Sequence, residues 1–115
     1  LKGEIKLTTD ISPSLDSCKA AASVSAGSTV SAVAKLKNLS DREASATVFI
    51  CVYKGKRLLS MKAVSESVLP LAEGREITVC AKLSEYPEAD RVSAFIWDDA
   101  FYMRLLAEAA NADVI

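Results

Sequence analysis

Short apolar runs alternate with polar turn segments along most of the chain. The runs predict strands over residues 4–9, 18–25, 29–37, 44–54, 57–69, 75–83, 91–98 and 101–106. Turn-forming residues interrupt them about every 8–12 residues, as is typical of β-sandwiches and barrels. No run alternates with a long helical segment, which argues against a parallel α/β fold. We therefore predict an all-β fold, an antiparallel sandwich of about seven strands, because sequential strands with short connections pair antiparallel.

The strongest runs differ in how many of their faces are apolar. Residues 29–37 and 75–83 alternate with period two, which predicts strands with one buried face. Their expected inward positions are Val30, Ala32, Ala34, Leu36, Ile77, Val79, Ala81 and Leu83. Residues 44–54 are apolar on both faces, which is typical of a central strand. Gly55 then predicts a tight hairpin, since glycine tolerates positive φ.

The end of the chain has two interpretations. Residues 100–112 are rich in Ala, Leu, Glu and Met, which favour a helix. A strand up to about Leu106 would instead give the run 91–98 a hairpin partner. We expect the strand, followed by an irregular tail or a short helical turn.

The aromatic residues offer the main functional candidates. Phe95 and Trp97 share one strand face, as do Phe49 and Tyr53, because alternate residues of a strand point the same way. We expect a structural core made of bulky side chains at Phe49, Tyr53, Leu58, Phe95 and Trp97. The alternative is a sugar-stacking platform on an exposed face. Its candidate ligand contacts are Tyr86, Trp97, Phe101 and Tyr102.

Composition excludes several kinds of chemistry. The 115 residues include no histidine, which removes Ser-His-Asp and Cys-His catalysis and the usual zinc ligand sets. No phosphate-binding loop, dinucleotide fingerprint or nucleophile elbow is present. The formal net charge of -1 gives no reason to bind nucleic acid. No apolar run is long enough for direct membrane insertion. We expect no enzyme activity, no catalytic residues and no cofactor.

The polar candidates each have a structural explanation. Asp98 and Asp99 are adjacent on the chain and are poorly placed to act as a catalytic pair. Glu85, Glu88 and Asp90 share a loop, but their spacing fits no defined calcium loop, so we expect no metal. The sequence around Asn38 fits an N-glycosylation sequon, and a backbone-capping role explains it as well.

Three cysteines, Cys18, Cys51 and Cys80, cannot all pair within one chain. Cys51 and Cys80 lie inside apolar runs. They are either buried free thiols or the two ends of a bridge between sheets.

The chain resembles a known family of modules in several of its segments. The segment 49–53 (FICVY) precedes the glycine hairpin, and Gly74 introduces another alternating strand. The segment 92–98 (VSAFIWD) is followed by Met103 and Leu105. These features resemble the immunoglobulin-like or fibronectin-III-like β-sandwich accessory modules of Gram-positive secreted and cell-surface proteins, including S-layer-associated proteins and glycoside hydrolases. Arg104-Leu105 replaces the family's usual Lys-Pro-Leu.

The resemblance implies an accessory module without catalytic residues. Residues 1–115 would form one sandwich domain, a C-terminal piece of a larger protein that is secreted or held at the cell surface. The expected function is a spacer or docking domain whose partners are neighbouring domains of the same chain. The alternative is a carbohydrate-binding module that binds cell-wall or other glycans for a neighbouring hydrolase domain.

Overall fold

The computed structural model describes residues 1–11, 14–70, 73–99 and 105–115. The chain forms eight strands and one 3-10 turn at Leu83–Glu85 within these ranges. The strands are β1 (Lys2–Thr8), β2 (Ser23–Val24), β3 (Thr29–Lys37), β4 (Ala44–Lys54), β5 (Arg57–Val68), β6 (Glu73–Lys82), β7 (Arg91–Asp98) and β8 (Ala110–Val114). The all-β prediction is confirmed.

The strands form two sheets that face each other. The three-stranded sheet has the order β1-β3-β6, and the five-stranded sheet has the order β2-β8-β7-β4-β5. All of the pairings are antiparallel except β2 with β8, which run parallel. The hairpin between β4 and β5 turns at Gly55, whose φ of 58° favours glycine.

The core between the sheets consists mostly of small and β-branched side chains. The predicted inward positions of β3 and β6 all lie in it. The five-stranded sheet contributes alternate residues of β4 and β7, and the core positions of those two strands are Ala46, Val48, Ile50, Val52, Val92, Ala94 and Ile96. The sheets approach closely at Gly3, where an added Cβ would lie 3.0 Å from Cδ1 of Ile96. This narrow space suits alanine and valine better than aromatic rings.

The prediction of a core built on Phe49, Tyr53, Leu58, Phe95 and Trp97 is therefore wrong. None of these side chains belongs to the buried cluster, and Leu58 is 48% exposed. Their neighbours along the strands face inward, so these residues face outward. Both faces of β4 and β7 are apolar, and the inward face is the one with the smaller side chains.

Most predicted strand boundaries match the structure. The runs 29–37, 44–54 and 91–98 are confirmed without change, and three others shift by one or two residues at one or both ends. The predicted strand 18–25 shrinks to Ser23–Val24. The predicted irregular or helical tail is wrong, because residues 110–114 form β8 and pair with β7. Tertiary pairing overrides the helix propensity of alanine here.

The prediction for residues 101–106 is tested at one end only. Residues 100–104 lie outside the described part of the chain. Leu105 forms an isolated antiparallel bridge with Trp97. The chain therefore passes beside β7 before it returns as β8.

The segment between β1 and β2 covers part of the outer face of the three-stranded sheet. Leu15 and Cys18 are buried there, and so is Val33, which points away from the main core. The ammonium group of Lys6 donates to the backbone oxygens of Leu15 and Cys18 at 2.7 and 3.4 Å. The backbone N–H of Leu15 donates to Glu76 Oε1 at 2.6 Å. The chain thus covers this face with its own residues.

Candidate interaction surface

Three aromatic rings form a cluster on the outer face of the five-stranded sheet. Phe49 of β4 lies directly across from Phe95 of β7, and Trp97 follows two residues later on the same face. The Phe49 and Phe95 rings are stacked, with centroids 4.9 Å apart and planes 18° apart. Trp97 lies 4.9 Å from Phe49 at a tilt of 56°. All three side chains are half-buried. We call Phe49, Phe95 and Trp97 the aromatic cluster, and the sheet surface that carries it the aromatic face.

Aliphatic side chains extend the aromatic cluster on both sides. On β5, Ala63 lies across from Phe49, and Met61 lies across from Cys51 and is 54% exposed. On the other side, Leu105 bridges to Trp97 and is 46% exposed. The apolar surface therefore continues beyond the three rings in both directions across the sheet. Exposed apolar patches of this kind mark interaction sites more often than scattered single residues do.

The two outer faces of the sandwich differ in the number of charged residues that they carry. In β4, β5, β7 and β8, the outward positions within the described chain carry only Arg91 and Asp113 as charges. The outward positions of β1, β3 and β6 carry many more, namely Lys2, Glu4, Lys6, Lys35, Lys37, Glu76 and Lys82. Charged residues are depleted, and aromatic residues and Met are enriched, at the centres of protein interfaces. The aromatic face has this composition and the opposite face does not.

The charged face is also tied to its covering segment. Lys35 Nζ lies 2.9 Å from Asp16 Oδ2, an ion pair that links β3 to this segment. The Lys35 ammonium lowers the pKa of the Asp16 carboxyl, chiefly through this hydrogen bond. The same contact raises the pKa of Lys35. Asp16 is exposed and Lys35 is half-buried, so water screens the pair and it stabilises the fold only slightly.

One end of the aromatic face carries a carboxylate held in a fixed position. Asp99, just beyond β7, accepts hydrogen bonds from the hydroxyls of Ser45 and Thr47 at 2.9 and 2.8 Å. Its backbone N–H donates to the Ser45 carbonyl at 3.1 Å. Thr47 lies across from Trp97, so these contacts place the carboxylate beside the aromatic cluster. Asp99 has no cationic partner among the described residues and is exposed.

The other end of the aromatic face carries a cation. The guanidinium of Arg91 lies over the ring of Tyr53, with its carbon 4.5 Å from the centroid. Burial raises the pKa of the Tyr53 hydroxyl, and Cys51 beside it acts in the same direction. Burial likewise raises the pKa of the Cys51 thiol. Both groups are therefore neutral at physiological pH, and Arg91 supplies the positive charge here.

The four predicted ligand contacts do not come together. Trp97 lies on the aromatic face, whereas Tyr86 packs against the core near the opposite end of β7. Tyr86 precedes the Arg91 end of β7, and Trp97 lies six residues further along the strand than Arg91, a distance of about 20 Å. Phe101 and Tyr102 lie outside the described residues.

The polar candidates from the sequence have structural partners. Glu88 pairs with Arg57 at 3.4 Å, and Asp90 accepts two hydrogen bonds from the Gly55 N–H at 2.9 and 3.1 Å. The loop therefore holds the β4–β5 hairpin. Across residues 1–11, 14–70, 73–99 and 105–115, no three Cys, Asp or Glu side chains are grouped to hold a metal ion.

Asn38 is a structural residue. It is buried, and its amide nitrogen donates to the carbonyls of Arg42 and Val68 at 2.8 and 3.1 Å. Its Oδ1 accepts from the backbone and the hydroxyl of Ser40. Both amide hydrogens are used inside the fold, so the structure favours the capping role over glycosylation.

The three cysteines are free. Cys51 and Cys80 lie on the outer faces of different sheets, so a bridge between them would have to pass through the core. Cys51 is buried as expected, and Cys18 is buried as well. Cys80 is exposed and contacts the Ser31 hydroxyl at 3.2 Å. The prediction of a buried Cys80 is wrong, because only one face of β6 points inward.

Sequence reasoning missed Asp99, Thr47, Met61 and Arg91 as parts of one surface. Their proximity depends on the register of β4 against β5 and on its pairing with β7, which lies more than thirty residues away along the chain. The alternating pattern within each strand did contain one usable signal. The positions that share a face with Phe95 are almost uncharged, although 25% of the chain is charged.

Comparison with known proteins indicates the fold alone. No protein-family model and no curated protein matches the chain. Among solved structures, the chain is similar to a β-glucosidase from Listeria innocua crystallised with glucose, with a TM-score of 0.55 and 11% sequence identity. The similarity covers 98% of this chain and 16% of the β-glucosidase chain. Among the described residues, no helix has the length and apolar character required to span a membrane.

Proposed function

We propose that this chain is a non-catalytic docking module of a multidomain extracellular bacterial protein, with an immunoglobulin-like sandwich fold. The aromatic face is its docking surface, and the partner is a protein surface. The observation that carries this proposal is the contrast between the two outer faces. One is charged and partly covered by a segment of the chain itself, and the other is aromatic, carries few charges and is uncovered among the described residues.

The arrangement of the rings favours a protein partner over a sugar. A sugar-stacking platform needs ring faces that are open to solvent and lie in one plane or groove. Here Phe49 and Phe95 stack on each other, and Trp97 is tilted by 56° and 38° from the two of them. The rings present edges as well as faces. Irregular apolar surfaces of this kind fit side chains of a partner protein, which fill the gaps between the rings.

The structural comparison supports a role as one part of a larger protein. The chain is similar over nearly its whole length to a piece amounting to 16% of a β-glucosidase. That proportion fits the accessory module that the sequence resembles. Such a module has neighbours in its own polypeptide and in other copies of it, and both present protein surfaces to the aromatic face.

Hydroxyl-radical footprinting read by mass spectrometry tests this proposal. The isolated 115-residue chain, kept dilute, is compared with the intact parent protein. Met61 and Trp97 should be oxidised several-fold more slowly in the parent. Leu39 is the control, since its 53% exposure matches the 54% of Met61 and it lies away from the aromatic face. Equal oxidation of Met61 and Trp97 in both samples would refute a docking role for this face.

A glycan-binding module is the second candidate. It is favoured by one observation: half-buried Trp97 lies beside the Asp99 carboxylate and the Thr47 hydroxyl, and sugar sites combine aromatic rings with such polar groups. Trp97 is the only tryptophan, so its fluorescence reports directly on this location. Titration with soluble cell-wall and plant oligosaccharides should leave the emission unchanged if the partner is a protein. A saturable shift that Asp99→Asn and Thr47→Val both weaken would favour the glycan instead.

A further inference from the structure

We infer that the partner of the aromatic face is a second copy of this chain, bound face to face about a two-fold axis over Phe95. This inference rests on the proposed function only in that the aromatic face is taken to be a protein interface.

Two of the three charges on the aromatic face, Arg91 and Asp99, lie near its ends and are placed symmetrically about Phe95. Arg91 precedes Phe95 by four residues and Asp99 follows it by four. Each lies about 13 Å from Phe95 along the strand direction. Neither has an ion-pair partner within the described chain. Asp113 lies across from Arg91 on β8 without a salt bridge between them.

A two-fold axis perpendicular to the strands brings opposite charges of the two copies together. It reverses the strand direction of the second copy, so that the copy's Asp99 lies over Arg91 and the copy's Arg91 lies over Asp99. The aromatic clusters then meet at the centre. The surface is self-complementary, as a closed two-fold dimer requires. Packed sheets cross at about 30°, and the long Arg91 side chain can span the resulting sideways offset.

Pairing through the sheet edge is disfavoured. On the edge strand β5, Lys62 and Glu66 lie across from Ile50 and Ala46, so both charged side chains point toward the inner side of the sheet. Inward-pointing charges on edge strands prevent a further strand from being added. Glu66 is also held by Arg75 at 2.8 Å. Two copies are therefore not expected to associate through β5.

The area of the face predicts a reversible dimer. The outward side of β5, β4, β7 and β8 between Arg91 and Asp99 measures roughly 500 Å² per copy. The total is near the lower limit for specific protein interfaces. Because the interface is small, association should depend on protein concentration. It should also weaken in salt, since the two charge pairs lie at the rim of the interface.

Sedimentation equilibrium of the 115-residue chain, from micromolar to millimolar concentration, tests the inference. The wild-type chain should show a monomer–dimer equilibrium that weakens in high salt. Arg91→Glu and Asp99→Lys should each raise the dissociation constant about tenfold, because each variant loses both pairs and introduces repulsion. Asp41→Lys is the control for a charge reversal on an exposed loop residue away from the face, and it should dimerise like wild type. Circular dichroism confirms that each variant is folded.

The decisive sample carries both reversals in one chain. The double variant Arg91→Glu with Asp99→Lys restores two complementary pairs, so its dissociation constant should return to within about threefold of wild type. An equimolar mixture of the two single variants should contain heterodimers held by one reversed pair and one native pair. Failure of the double variant to recover, or dimers indifferent to both single reversals, would overturn the two-fold geometry.

This outcome can be separated from that of the proposed function. A chain that stays monomeric at all concentrations overturns the second-copy inference. The docking function then still stands if Met61 and Trp97 are protected in the parent protein, where an adjoining domain would be the occupant. Loss of both self-association and protection would overturn the two proposals together.

Discussion

Two adjacent residues of β7 provide a direct test of which sheet face is the core. Ile96 points between the sheets and is fully buried, whereas its neighbour Phe95 points to the aromatic face and is half-buried. Truncation to alanine at each position should therefore have unequal effects. If side-chain size alone decided the result, Phe95→Ala would be the more damaging change. The structure predicts the opposite order.

The expected magnitudes follow from burial. Ile96→Ala removes a buried side chain that packs close to Gly3 of the facing sheet, and such truncations cost about 2–5 kcal/mol of unfolding free energy. Phe95→Ala loses the stacked contact with Phe49, which contributes about 0.5–1.5 kcal/mol, and part of its apolar burial. We expect about 3 kcal/mol for Ile96→Ala and about 1.5 kcal/mol for Phe95→Ala.

Guanidinium unfolding of dilute protein measures both values. Far-UV circular dichroism follows the sheets, and Trp97 fluorescence follows the aromatic face. Both variants should unfold with the slope of the wild type, so that the midpoints report stability. Ile96→Val is the control and should cost about 1 kcal/mol. A larger loss for Phe95→Ala than for Ile96→Ala would show that the aromatic side is the core and would refute the assignment of the faces.

Four further predictions concern other parts of the fold. Gly3→Val should lower the unfolding free energy by about 1–3 kcal/mol in thermal melts, because the two sheets leave no room for its side chain; a neutral result would contradict their close approach. In the native protein, a thiol reagent should modify Cys80 rapidly and reach Cys18 and Cys51 only after unfolding, as mass spectrometry of labelled peptides will show. Burial raises the pKa of the Cys51 thiol above its ordinary value of 9.0, so its contribution to stability is fully present below that value and is lost as the pH rises through the folded value. Cys51→Ala should therefore lose less stability than wild type as the pH rises above 9.0, and identical losses would contradict this. Asn38→Ala should cost about 1–3 kcal/mol in denaturant unfolding, since it leaves two carbonyls without their donor, whereas an exposed asparagine would cost almost nothing.

The sequence predicted the strands well because local signals define them. The turn at Gly55 and the alternation in 29–37 specify their elements without distant information. The inward side of β4 was not specified in this way. Val48 and Phe49 are both apolar, and which of the two points into the core depends on how closely the facing sheet approaches. That distance is set by Gly3, which lies more than forty residues away.

The aromatic face was only partly predictable for the same reason. The sequence showed that Phe95 and Trp97 share a face, and the ring contacts confirm it. It did not show that Phe49 stacks on Phe95, or that Ser45 and Thr47 hold Asp99, because these contacts depend on the register of β4 against β7. Helix propensity was also misleading for β8, where pairing with β7 decides the conformation.

The parallel pairing of β2 with β8 has a consequence for how the protein is made. Ser23 lies beside Asp113, so strands that are ninety residues apart close one side of the five-stranded sheet. A ribosome must release residues 110–114 before β7 gains its second neighbour. Until then one edge of β7 is unpaired, and the inward positions that Ala112 and Val24 later cover stay exposed to water. Such long-range closure slows folding and leaves nascent chains prone to association. Formation of β8 is thus the step that completes the native five-stranded sheet.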